Sequence, residues 1–232
     1  MLLQPAFVLH RRLYKETSYL VELFTKEHGR VSLIARGVRK AKSIGPGLLQ
    51  PFIPLVISFS GKTELMTLTQ LETKGEEKQL FGECLFAGFY INELIMCLLE
   101  KWDAHSSLFD AYEKAITVLQ QIPLKQETLR IFEKKLLEEL GYGLLPDSDW
   151  ASQAIKSDRF YRFVPEQGFV ESGLGEDSQT QTNVFLGKNL LAYANCDWPD
   201  QDSLRDAKRL TRLVLAPLLG ARQIHSRQLF LS

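Results

Sequence analysis

Ten basic side chains fall within the first 62 residues, Arg11, Arg12, Lys15, Lys26, Arg30, Arg36, Arg39, Lys40, Lys42 and Lys62, against the acidic Glu16, Glu22 and Glu27. That segment carries a net +7, and the neutral chain therefore carries −7 over the rest. The chemistry such a set offers is electrostatic. Summed cationic potential over a short stretch attracts a polyanion, and nucleic acid is the polyanion it suits best.

Residues for bond-making chemistry are missing by comparison. Gly61-Lys62-Thr63 imitates the end of a phosphate-binding loop, but the pattern needs glycine five positions before the Gly-Lys pair, where Val56 sits in a strand-like run. His10, His28, His105 and His225 are far apart, with no second ligand at helical spacing. Glu76-Glu77 and Glu138-Glu139 flank apolar periodicity and read as solvated helix edges. Cys84, Cys97 and Cys196 are odd in number and widely spaced, which argues for buried thiols rather than disulfides or a metal knuckle. The expectation is a protein without catalysis, cofactor or metal.

The elements that carry the cations read as β structure. Ala6–His10, Ser18–Thr25, Arg30–Arg36, Ile53–Ser60 and Thr63–Leu71 are five short strands, and Val31, Leu33 and Ala35 alternate with Arg30, Ser32 and Arg36. Gly61-Lys62 reads as a two-residue hairpin turn. The stretch Gly37–Pro51, with Gly45, Pro46 and Gly47, is too broken for helix or strand and holds Arg39, Lys40 and Lys42. Five strands with one long basic loop fit an oligonucleotide-binding barrel better than a sandwich of about seven strands. By itself the loop is equally a solubilising surface. The neighbouring Arg30 and Lys62 favour a shared groove of Arg30, Arg36, Arg39, Lys40, Lys42 and Lys62. Among the interleaved rings Phe7, Tyr14, Tyr19, Phe24, Phe52 and Phe59, most belong to a core, and Tyr14, beside Arg11, Arg12 and Lys15, is the candidate platform for a base.

After Gly75 the period becomes helical. Leu80–Lys101 is apolar around most of its circumference, as a buried central helix is. Ser107 followed by Asp110 marks a second helix start, Glu127–Leu140 is a third helix stopped by Gly141, and helices return at Leu186–Ala194 and Asp202–Ala216. Phe160–Val170 reads as a hairpin, and Gly173–Thr182 as a polar loop. The fold class is α+β: an amino-terminal five-stranded barrel over residues 1–77, then a mainly helical domain over 78–232 with a small hairpin. No apolar run approaches the roughly 18 residues of a membrane span, so a cytoplasmic location without membrane partner is expected. The helical domain offers a pair of clusters as sites for an acidic, hydrophobic-tipped peptide: Arg130, Lys134 and Lys135, and Arg205, Lys208, Arg209 and Arg212. For the Arg130 cluster a solvated helix face is the favoured reading, because a basic residue beside an acidic one, as in Glu133-Lys134, is routine on helix surfaces.

Ala6-Phe7-Val8-Leu9-His10, Glu16-Thr17-Ser18, Leu23-Phe24-Thr25, His28-Gly29-Arg30-Val31, Ala35-Arg36-Gly37-Val38-Arg39 and Leu49-Gln50-Pro51-Phe52 resemble the amino-terminal domain of the RecO family. The resemblance continues through Tyr90-Ile91-Asn92-Glu93-Leu94, Leu140-Gly141-Tyr142-Gly143, Ala207-Lys208-Arg209, Leu219-Gly220 and Ser226-Arg227, so it spans nearly the whole chain. It implies a non-enzymatic recombination mediator in DNA repair. Such a protein binds single- and double-stranded DNA, anneals complementary strands, binds the acidic tail of single-stranded DNA-binding protein (SSB), and works with RecR to load RecA, in association with the nucleoid. Many relatives carry a four-cysteine zinc element after the Gly-Tyr-Gly turn. Leu144–Leu186 holds no cysteine, which implies a metal-free version whose hairpin is held by its own aromatics.

Two rivals remain: a protein-binding barrel whose basic loop meets an acidic partner, and an accessory barrel of a nuclease or ligase. The second needs a carboxylate cluster or activated lysine that residues 1–62, with three acids, do not supply.

Overall fold

The computed structural model describes residues 3–38, 45–62, 65–75, 79–144, 146–173 and 182–230. Strands β1 (Gln4–Tyr14), β2 (Ser18–Thr25), β3 (Gly29–Ala35), β4 (Leu55–Ser60) and β5 (Leu65–Thr73) close into a barrel in the order β1-β2-β3-β5-β4. Only the β3–β5 pair is parallel, and β4 returns to β1 to complete the ring. Its interior is filled by Ala6, Val8, Val21, Leu23, Val31, Leu33, Ile57 and Phe59, the inward members of each alternation. This is the five-stranded, oligonucleotide-binding type of barrel that the strand count and loop suggest.

One irregularity re-aims the charges. Ala6 and Val8 face inward opposite Thr25 and Leu23, but the register slips at Leu9, so that His10 stands opposite Glu22 and Arg12 opposite Leu20. Because a bulge inserts one residue, the even-numbered positions of β1 change from the inner to the outer face. The carbonyl of Leu9 accepts a hydrogen bond from Asn92 Nδ2 at 3.0 Å, and Asn92 Oδ1 accepts one from the Tyr112 hydroxyl at 2.8 Å. All three residues are buried, so the extra residue is held by a closed chain of satisfied polar groups.

Packing divides the chain into two compact units, residues 1–124 with 223–232, and residues 125–222. The last barrel strand ends at Thr73, and in the first unit α2 (Gly82–Leu98) and α3 (Ser106–Val118) pack with the barrel. Phe7 and Phe24, both outward on the barrel, stack against Phe109 and Tyr112 of α3 with centroids 5.0–6.0 Å apart. A short helical turn, α1 (Gly45–Leu48), interrupts the stretch expected to lack helix. Gly29 turns β2 into β3 at φ +61°, and a Cβ there would lie 1.6 Å from the Asp103 carbonyl oxygen. Only glycine fits that approach. The terminal 3-10 helix His225–Phe230 returns to α2, where the Glu93 carboxylate accepts from the backbone N–H groups of His225 and Ser226 and from the Ser226 hydroxyl at 2.6–2.9 Å.

The second unit holds α4 (Gln126–Glu139), strands β6 (Phe160–Val164), β7 (Gly168–Ser172) and β8 (Val184–Leu186), α5 (Gly187–Asn195) and α6 (Gln201–Leu219). The expected hairpin is β6–β7, with Phe163 and Phe169 at 5.6 Å between ring centroids. Strand β8, which sequence periodicity merges into a helix start, adds to the other edge of β6. No cysteine lies in this sheet's strands.

Three local expectations fail. Gly61-Lys62 is not a two-residue hairpin, because the first β4–β5 pair is Ser60 with Thr67; Thr63 lies outside the described residues. Helix α3 begins at Ser106 with His105 in the capping position and no side-chain cap, and Asp110 instead pairs with Lys26 at 2.7 Å. Among the free cysteines only Cys84 is buried, while Cys97 and Cys196 are half-buried. No described helix is long and apolar enough to cross a membrane.

Candidate nucleic-acid interface

Arg30 and Arg36 share the outward parity of β3, six residues and therefore about 20 Å apart along the strand. They are not equivalent. Arg36, just beyond the strand, is exposed, whereas Arg30 is half-buried and its Nη1 donates to the Met96 carbonyl at the end of α2. Its backbone oxygen also accepts from the Trp102 N–H at 3.0 Å. Lys62 is exposed just past β4. Arg39, Lys40 and Lys42 lie outside the described residues, as do Thr63 and the centre of the 173–182 loop. Tyr14, at the end of β1, is half-buried with Lys15 Nζ 5.6 Å from its ring centroid.

The other rings sort by burial. Phe7, Phe24, Phe52 and Phe59 are core, and Phe59 packs at 5.9 Å from both His28 and Trp102. Tyr19 is half-buried beneath the Arg11 guanidinium, 5.0 Å from its centroid. Tyr14 and Tyr19 are therefore the two of the six that keep exposed surface.

A depression of about 370 Å³ opens on the outer wall of β1, β2 and β3, lined by His10, Arg12, Leu20, Glu22, Arg30, Met96 and Lys101. Three of its members carry permanent positive charge. Glu22 is the one carboxylate, and its Oε1 is occupied by the Ser32 hydroxyl at 2.6 Å and approached by Lys101 Nζ at 3.8 Å. Strand alternation alone gives no reason to group His10 and Arg12 with Arg30, since it counts positions without the slip at Leu9.

In the second unit the two cationic clusters have different fates. The side chain of Arg130 is 5% exposed and its Nη2 bonds Glu133 Oε1 at 2.8 Å; Glu133 is 1% exposed. Lys134 Nζ caps the carboxyl end of α5, 2.6 Å from the Ala194 oxygen and 3.4 Å from that of Tyr193. Lys135 pairs with Glu139 at 3.0 Å and Glu138 at 3.7 Å, and these carboxylates hold its ammonium above the usual lysine range. So Arg130 and Lys134 serve the interior of their own unit.

On α6, by contrast, Arg205, Lys208, Arg209 and Arg212 line one depression of about 440 Å³ together with Thr182, Leu213 and Ala216. Arg205 pairs with the exposed Asp202 at 3.0 Å, and Arg209 with Asp206 at 3.2 Å. Arg209 also lies 4.4 Å from the Phe185 ring centroid and donates to the Val184 carbonyl, which fixes its guanidinium over the sheet.

Two family models account for the chain: Recombination protein O N terminal matches residues 1–76, and Recombination protein O C terminal matches residues 82–228. The chain belongs to the RecO family of DNA repair proteins. Curated relatives, each named DNA repair protein RecO, extend over almost its full length. That of Dechloromonas aromatica is 42% identical across 98% of this chain and 94% of its own. That of Stutzerimonas stutzeri is 45% identical across 99% and 93%, and that of Coxiella burnetii 43% across 98% and 97%. The RecO amino-terminal match coincides with the closed barrel, and the carboxy-terminal match begins where α2 does.

Proposed function

We propose that this RecO-family chain is a non-enzymatic recombination mediator acting in DNA repair in the cytoplasm, at the nucleoid. The barrel binds single- and double-stranded DNA through phosphate contacts from Arg30, Arg36, Arg39, Lys40, Lys42 and Lys62, with Tyr14 as a stacking surface. The observation that carries the reading is the +7 excess of residues 1–62 on a barrel whose family is named for recombination. Such contacts release condensed counterions and are blind to base sequence. Sequence-blind neutralisation of two strands lowers their mutual repulsion, which is what annealing requires, and no bond is made or broken.

The acidic tail of SSB docks on the α6 depression, where Arg205, Lys208 and Arg212 meet its carboxylates and Leu213 and Ala216 its apolar tip. Arg130, Lys134 and Lys135 are committed to internal partners and are the weaker alternative. Together with RecR, the chain then helps place RecA on strands that SSB has coated.

Titration with mixed-sequence single strands across salt tests the DNA contacts. Arg36→Ala/Arg39→Ala/Lys40→Ala/Lys42→Ala should weaken binding and flatten its salt dependence, and unchanged binding rejects the placement. A wild type that binds no DNA but retains an acidic protein partner would favour the rival reading, an interaction barrel without a direct nucleic-acid role. Calorimetry with the tail peptide, comparing wild type with Arg205→Ala/Lys208→Ala/Arg212→Ala, tests the docking on α6.

A further inference from the structure

We propose that the outer wall of β1–β3 contains a second phosphate site, formed by Arg12, Arg30 and Lys101 and created by the bulge at Leu9; it extends the DNA reading above and rests on it. Without the slip, the parity set by Ala6 and Val8 would put residues 10 and 12 on the inward rows, which in the observed register fall to Arg11 opposite Val21. With it, Arg12 emerges opposite Leu20 and His10 opposite Glu22, on the same wall as Arg30. Bulges re-aim side chains, and this one is pinned from behind by Asn92 and Tyr112.

The charge of the depression is unbalanced. Arg12, Arg30 and Lys101 contribute +3 and Glu22 −1, leaving +2 with His10 neutral. Neither Arg12 nor His10 has a side-chain partner among the described residues, and both are exposed on a strand wall where a solvated charge has no need of concave surroundings. Arg30 is held in place through Met96, and Lys101 is tethered beside it by the backbone bridge between residues 30 and 101. One guanidinium fixed on a backbone carbonyl, an ammonium whose main chain is bridged beside it and whose Nζ lies 3.8 Å from Glu22, and the exposed Arg12 make a small cradle for a tetrahedral anion. The phosphodiester of a nucleic-acid strand crossing the barrel wall is the ligand of that class. The neighbouring half of the same wall is covered by Phe109 and Tyr112, which confines a strand's route to the uncovered rows.

The test compares three proteins in single-strand titrations over a range of salt: wild type, Arg12→Ala/Lys101→Ala, and a control with equal loss of charge, Lys74→Ala/Lys114→Ala. Loss of two phosphate contacts should lower the salt slope by about 1.4, from roughly 0.7 per contact, with a matching loss of affinity, while the control keeps the wild-type slope. A wild-type slope for Arg12→Ala/Lys101→Ala alongside normal wild-type binding overturns this site and leaves the DNA reading standing. Equal losses in both variants overturn it too, since they would report net charge only. Failure of the wild type to bind any strand sinks the reading on which the site rests.

Discussion

Replacing Asn92 by alanine probes the device that sets the charge pattern of the barrel wall. The substitution removes both of the amide's bonds, to the buried Leu9 carbonyl and the Tyr112 hydroxyl. Each bond lost from a buried group costs about 1–3 kcal/mol, so the sum is roughly 2–6 kcal/mol before any relaxation of β1. Against a net stability of about 5–15 kcal/mol for a domain, that is a large share. Tyr112→Phe removes only one of the two bonds and should cost about 1–3 kcal/mol. Since both variants delete the same contact, the double variant should fall short of the sum of the singles by about 1 kcal/mol. Urea unfolding followed by circular dichroism measures all three, and hydrogen exchange at β1 shows whether the loss is local. Asn92→Ala within about 0.5 kcal/mol of wild type, or strict additivity, would refute the claim that the bulge is pinned from α2 and α3.

Further outcomes follow from other buried or capping groups. Glu133→Ala should destabilise the second unit by about 3–5 kcal/mol because it leaves Arg130 charged and enclosed, whereas Arg130→Met/Glu133→Leu should be near neutral; thermal unfolding of both distinguishes a buried ion pair from a solvated one. Hydrogen bonds from the Ser203 backbone and side chain hold the Asp200 carboxyl below its ordinary value. Its capping contribution is therefore complete above the unfolded carboxylate range and lost as pH falls from there through the lower value of the folded state. The stability gap between wild type and Asp200→Ala should shrink on acidification from pH 7 to about pH 2. Burial drives the Tyr112 and Tyr193 phenols far above the ordinary tyrosine value. The stabilisation from keeping them neutral is intact below about pH 10 and declines above it, so the share of phenolate absorbance from these two should rise together with unfolding rather than before it; early ionisation of all seven tyrosines would contradict their enclosure.

The strands of the barrel are legible because the interior takes every second residue, and β2 and β3 keep one unbroken register along their length. Strand β1 breaks it silently. Its bulge contains no glycine, and Leu9 prolongs an apolar run that looks like uninterrupted strand. The charged wall beyond it is consequently illegible from spacing alone. In α4 the difficulty is opposite: Arg130 and Glu133 look like surface charges, although they extend the stripe of Leu129, Phe132 and Leu136 and are buried with it. A charge pair inside an apolar stripe at i, i+3 is a usable signal. Three-residue β8 offers none, being too short for any period to show. The α6 cluster is readable because one helix face carries all four cations, while the barrel's cations are spread over strands whose alignment only tertiary structure supplies.

The clasp of Glu93 on His225 and Ser226 joins residues 132 and 133 positions apart. At about 5–20 residues per second of synthesis, that carboxylate waits on the order of ten seconds for its partners to leave the ribosome. The nascent first unit must meanwhile persist with one side of α2 bare, where Tyr90 and Phe86 later receive Arg227 and Phe230. Birth order thus makes residues 225–230 a late lock on a much older part of the molecule, and a ribosome that stalls before them leaves the barrel's supporting helix uncovered.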